Sequence, residues 1–296
     1  MNIIGKRHIF LSISGLLVAL SLLAVLIFGF NQGIDFKGGT LWHLEIPEVV
    51  SASELAEYFS KKIELNTSVV RGSGGGYLVR FEDISEDRHQ EYLRRLTGDF
   101  PEARELSFQS IGPTIGAELR ERALFALVLV LVAISLYIAF AFRKASRPVT
   151  SWKYGVVTLV TLFHDIAIPA GLIAVLGSTH GVEIDTNFII ALMVILGFSV
   201  HDTIVVFDRI RENLIHAKNK HDLHGIVNSS VNETIARSLN TSLTLIVVLV
   251  ALLLFGPVTL TYFTLTLLVG VTAGTYSSIF VASPLLTVWY DQGSRT

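Results

Sequence analysis

The chain has 296 residues, 51% of them hydrophobic and 16% charged, with a mean hydropathy of +0.58 and a formal net charge of -2. It is too apolar for an ordinary soluble domain of this length, and without a clustered basic face it carries no signature of nucleic-acid binding. Cysteine is absent, which removes disulfides, thiol catalysis and thiolate metal sites together.

Lys6 and Arg7 precede an apolar run over 9–30. About 20 residues are needed to span a bilayer, so this run is long enough. No small-residue cleavage site follows it, which predicts a retained signal anchor rather than a secretory leader. After residues 31–120, further apolar runs cover 121–142, 154–177, 187–207, 238–256 and 261–286. The expectation is six spans, with a cytoplasmic N-terminus over 1–8, a cytoplasmic loop and approach to the fifth span over 208–237, and a cytoplasmic tail over 287–296.

Orientation follows from lysine and arginine in the short loops. Arg143, Lys144, Arg147 and Lys153 separate the second and third spans, and Arg209, Arg211, Lys218 and Lys220 follow the fourth, whereas GSTHGVEID and GPVTLT have neither residue type. Both termini are therefore expected in the cytoplasm, and 31–120 outside the membrane. That segment holds 10 of the 23 Lys and Arg and 15 of the 25 Asp and Glu, a composition suited to a folded aqueous domain. LWHLEI alternates as a strand does, and SASELAEYFSKKI opens on Ser51 or Ser53 as N-cap. VVRGSGGGYLVRFE reads as a hairpin, EDRHQEYLRRL as an amphipathic helix and ARELSFQSI as a last strand. The β-α-β-β-α-β order suggests a small ferredoxin-like sandwich.

GFSVHDTIVVFDRIREN at 197–213 sets Asp202 about 22 Å into a helix that starts near Asn187. A carboxylate withdrawn from water inside a span faces protein or a water path and marks a candidate proton or ion site. The competing reading is a structural aspartate that only locks helix packing. Ser199 and Arg209 fall on the same helical face. Arg237, at the start of the fifth span, lies at matching depth, and Thr234, Arg237, Thr241 and Thr244 form one stripe whose expected partner is Asp202. Against that stands a positive-inside anchor snorkelling to headgroups. His164 and Asp165 in LFHDI fall mid-span, as relay groups or as satisfied core polar groups. Gly270, Gly274, Ser278 and Ala282 recur every four residues as a ridge for close helix packing. His216, His221 and His224 match no zinc spacing and read as a solvated loop; no metal site is expected. GIDFKGGT at 33–40, with Asp35, Phe36, Gly38 and Gly39, reads as a hinge or turn and fits no nucleotide motif.

DFKGG, SIGPTIG at 110–116, LFHD and GFSVHDTIVVFDRIREN together resemble the SecF family, the smaller partners of SecD within the RND superfamily, over essentially the whole chain. The resemblance implies a polytopic α-helical membrane protein with six transmembrane helices (an RND-type half) and one small α+β ferredoxin-like periplasmic domain between helices 1 and 2, in the bacterial inner membrane. It implies a non-enzymatic role: using the proton gradient to assist late Sec-dependent protein translocation, with protons as coupling ion and no other cofactor. Its implied partners are SecD, the SecYEG translocon and unfolded exported polypeptide, with YajC and a membrane insertase as further candidates. The family's intramembrane charges fall here on Asp202 and Arg237. A start on an anchor and an end at Thr296 suit a subunit encoded apart from SecD. The rival readings are a passive scaffold of the same complex and a free-standing RND-type exporter. An intramembrane protease with an Asp165–Asp202 dyad is a third, although the expected GxGD surroundings are missing.

Overall fold

The computed structural model describes residues 1–46, 50–71, 76–145, 149–217 and 222–293, without the side chains of 144, 145, 292 and 293. The tip of the expected glycine hairpin, Arg147, Lys218, Lys220, His221 and the Lys144 side chain lie outside the described residues. The chain divides into two compact units, one of 1–31 with 125–296 and the other of 32–124.

The second unit opens with a short helix α2 (Ile34–Lys37), followed by β1 (Gly39–Glu45), α3 (Ala52–Lys62), β2 (Ser68–Arg71), β3 (Gly76–Phe81), α4 (Glu86–Asp99) and β4 (Arg104–Ile111). The strands form one antiparallel sheet in the order β2-β3-β1-β4. Alternation in the sequence sends Trp42 and Leu44 of β1 and Tyr77 and Val79 of β3 to one face. Leu55 and Phe59 of α3 and Tyr92 and Leu96 of α4 close the core over it. Gly38 and Gly39 have positive φ (80° and 124°), which only glycine adopts without strain. A Cβ on Gly38 would stand 2.7 Å from Pro113 Cα, and one on Gly116 would stand 2.8 Å from the Gly38 nitrogen. The DFKGG and SIGPTIG segments are therefore pressed backbone to backbone, and Phe36 between them is 3% exposed.

The first unit is helical. Preceded by a 3-10 turn at Ile4–Lys6, α1 covers Arg7–Phe28; α5 runs Pro113–Ala141 and belongs to this unit from Phe125 onward. The helices α6 (Ser151–His180), α7 (Thr186–His216), α8 (Leu223–Phe255) and α9 (Thr261–Ser277) follow. A π turn at Ser278–Ala282 joins α9 to α10 (Ser283–Gly293). Six of these segments are long and apolar enough to cross a membrane, α9 and α10 counting as one. α7 begins where the Asp185 side chain accepts from the Phe188 amide, and α8 where Asp222 accepts from Gly225. That second cap carries α8 well upstream of its apolar run. α6 and α7 are the most enclosed single helices, and α1 and α5 leave most apolar side chains outward.

Candidate functional site

Two carboxylates stand inside the helical unit. Asp165 of α6 has no exposed surface and Asp202 of α7 is 4% exposed. Asp165 Oδ2 accepts hydrogen bonds from Ser199 Oγ of α7 and, at 2.8 Å, from Ser277 Oγ of α9. Its Oδ1 lies 2.8 Å from Nδ1 of His164. Asp202 Oδ2 accepts from Ser278 Oγ at 2.8 Å. Ser277 and Ser278 are adjacent and so point about 100° apart, which lets one helix reach both carboxylates. The regular helix ends at Ser277, and the π turn starts at Ser278. Such single wide turns recur at functional sites, since the extra residue re-aims side chains.

Glycine creates the close approach. A Cβ at Gly274 would lie 3.0 Å from Ser199 Cβ, and one at Gly270 would collide with the Ile195 side chain. The ridge expected from Gly270, Gly274, Ser278 and Ala282 thus lies against α7 at its glycines, and its serine is also the Asp202 donor. His164 is 3% exposed, and its Nε2 has no hydrogen-bond partner among the described residues. Its ring lies along that of Tyr276, with centroids 6.3 Å apart. Among the described residues no lysine or arginine pairs with Asp165 or Asp202. Their oxygens meet, among the described residues, hydroxyl groups and one imidazole nitrogen, the hydrogen-bond partners that a buried carboxyl group needs.

The expected pairing of Asp202 with Arg237 is not what the structure forms. Arg237 is exposed, as are Thr241 and Thr244, whose hydroxyls donate to carbonyls of their own helix. The inward seam of α8 is Thr234, Ser238 and Ser242, all buried, with Ser242 accepting from Thr275 of α9 at 2.6 Å. Small hydroxyls at intervals of four fit a closely packed seam, and a long guanidinium does not. Arg209 also turns from Asp202: it pairs with Glu233 and, at 2.7 Å, with Glu212. His164 and Asp165 do join the site, bonded to each other. His216 bonds to the Glu212 carbonyl, and His224 sits between Arg7 and Asp291, 2.8 Å from each. Asp35 belongs to the DFKGG turn of the other unit. Sequence reasoning missed Ser277; the signal was two consecutive serines in TYSSIFV, deep in an apolar run.

Residues 92–292 match the family model described as protein export membrane protein SecD/SecF, C-terminal, and residues 23–41 match the SecD/SecF GG motif. The chain is 40% identical to the protein translocase subunit SecF of Thermobaculum terrenum, covering 99% of this chain and 95% of that protein. It is 36% identical to SecF of Anaerolinea thermophila, covering 98% and 94%. Among solved structures it is similar to the crystal structure of SecDF, a translocon-associated membrane protein from Thermus thermophilus, with a TM-score of 0.83 and 36% identity over 98% of this chain. SecDF in its super-membrane-facing form gives 0.69 at 35% identity. The chain spans only 39% of those SecDF chains.

Proposed function

We propose, since this chain belongs to the SecD/SecF family of protein export membrane proteins, that it is the SecF subunit of an accessory complex that draws on the proton gradient in late protein translocation. Its place would be the bacterial inner membrane beside SecD and the SecYEG channel, with YajC and a membrane insertase as further neighbours and an unfolded polypeptide as client. The loop charges support cytoplasmic termini and a second unit outside the membrane. The β2-β3-β1-β4 sheet with two helices on one side supports a ferredoxin-like domain there. The chain would do no covalent chemistry and need no cofactor beyond the proton.

The observation that carries the proposal is Asp202: a buried carboxylate, held by one hydroxyl, at the junction where the last helix changes from α to π. Protonation removes the charge that holds Ser278 and frees the junction to repack. One elementary charge crossing 100 mV supplies about 2.3 kcal/mol, enough to bias such an equilibrium appreciably. Arg237, unpaired among the described residues, would complete the charge arrangement from the outer side of α8, toward a partner bundle.

Export into sealed vesicles carrying this chain with SecD tests the reading. Asp202→Asn at matched expression should keep the complex and lose the gradient-dependent part of export. Unchanged export would overturn proton coupling through Asp202 and leave a passive scaffold.

A further inference from the structure

Proton coupling through Asp202 leaves a second buried carboxylate without a task. We propose that Asp165 and His164 form a second proton-binding site, sensed at the same helix junction as Asp202 through the neighbouring hydroxyls of Ser277 and Ser278. Its bearing on transport rests on the proton-coupled function proposed above; proton binding itself does not.

The geometry assigns each atom a part. Asp165 is wholly buried with no lysine or arginine paired to it among the described residues, so an ionised Asp165 would be held by the hydroxyls of Ser199 and Ser277 on one oxygen and by His164 on the other. A His164 that donates from Nδ1 to Asp165 Oδ1 leaves Nε2 bare, and Nε2 is the one ring atom that the described residues leave unpartnered. A proton arriving at Nε2 lets the Nδ1 proton pass to Asp165 Oδ1. The imidazole ends neutral, with its proton on Nε2 and its lone pair on Nδ1. The carboxyl ends neutral, one proton has been gained, and the pair has gone from a charge of minus one to zero.

The serines convert that charge into a helix contact. Ser277 Oγ lies 2.8 Å from Asp165 Oδ2 and 3.1 Å from the Gly274 carbonyl; Ser278 Oγ lies 2.8 Å from Asp202 Oδ2 and 3.0 Å from the Thr275 carbonyl. A hydroxyl has one proton to give. An ionised carboxylate takes it, because the charge-assisted bond is the stronger; a neutralised one releases it to the carbonyl three residues back. Two such rotors side by side, where α9 becomes π, make the junction responsive to both carboxylates. The titratable groups near this depth on the packed elements, among the described residues, are His164 on α6, Asp202 and the outward, exposed His201 on α7, and Tyr276 on α9, whose hydroxyl donates to the Phe10 carbonyl of α1 at 3.3 Å.

Infrared difference spectroscopy on the purified full chain in lipid nanodiscs, titrated with acid, reads protonated carboxyls directly. Wild type should show the bands of two buried carboxyls. Asp165→Asn should lose one and keep the other, and Asp202→Asn the reverse. Ser277→Ala, a smaller perturbation, should shift the Asp165 band without removing it; this variant decides the matter if Asp165→Asn fails to insert. A spectrum unchanged by Asp165→Asn, or an unmoved band in Ser277→Ala, overturns the proposal. The two readings fail separately. Normal gradient-dependent export by Asp202→Asn refutes the coupling function while the Asp165 band still stands. Lost export in that variant, with no Asp165 band in wild type, refutes only the second site.

Discussion

At Glu105 a single carboxylate oxygen satisfies two enclosed donors. Trp42 Nε1 and His89 Nε2 each lie 2.6 Å from Oε2, and Trp42 and His89 are 0% and 4% exposed. The His89 ring also stacks on Phe108, with centroids 3.6 Å apart, so neither donor can turn to water. Glu105→Ala strands both, at a cost on the order of 3 kcal/mol; hydrogen exchange across β1 and β4 in the full chain should rise accordingly. Loss of protection no larger than for an exposed substitution would mean that the donors find other acceptors. Glycines of the helical unit behave just as locally. Gly270→Ala drives a methyl into Ile195 and should cost about 1–3 kcal/mol by overpacking. Gly15→Ala meets nothing within 4 Å and should be neutral or mildly stabilising. Thermal unfolding in detergent separates the two. Asp202 was legible in the sequence at this scale, because a carboxylate in an apolar run must be accommodated by something. Its donor was not, since a serine in such a run reads equally well as a small packing residue.

Among the elements, α3 shows how short-range chemistry fixes a boundary. Of the two serines eligible as N-cap, Ser51 holds the position. Its Oγ accepts from the Glu54 amide at 3.1 Å, and its own amide donates to Glu54 Oε2 at 2.7 Å. The backbone bond from Ser51, then its side chain, hold the Glu54 carboxyl below the usual carboxylate range. Folding thus favours ionised Glu54. Its contribution is present above the unfolded value of about 4 and is lost as pH falls through the lower folded value. Amide protection over Ala52–Lys62 should be flat above about pH 5 and fall in acid; Ser51→Ala, which keeps the backbone donor, should cost about 1 kcal/mol, and Glu54→Gln should remove that acid dependence. A helix equally sensitive to acid after Glu54→Gln would assign the effect elsewhere. α8 shows where pattern reading stops. Residues spaced 3, 4 and 3 and residues spaced 4 and 4 both trace helical stripes, and Thr234 belongs to each. Polarity favoured the stripe with the arginine; packing selected Ser238 and Ser242, because only small side chains fit the seam with Thr275. The number of candidate spans and the β-α-β-β-α-β succession along the chain were legible, since hydrophobic run length and alternation are local. Which face of a span turns inward depends on neighbours that the sequence does not name.

For the whole molecule, the outer face of α8 is where a solitary chain is incomplete. Leu239, Leu243 and Val247 are each more than half exposed there, and Arg237 stands among them with no ion pair within the described residues. At the edge of the apolar run at 238–256 its guanidinium either snorkels to the headgroups or meets an anion from outside the chain. If the proposed SecD bundle supplies that anion, Arg237→Gln should leave the thermal midpoint of the isolated chain unchanged or raised. The same substitution should abolish gradient-dependent export and weaken assembly with SecD in vesicles. A marked fall in the stability of the isolated chain would instead make Arg237 an internal anchor. Full export with glutamine at this position would show that the outer face of α8 needs no charge.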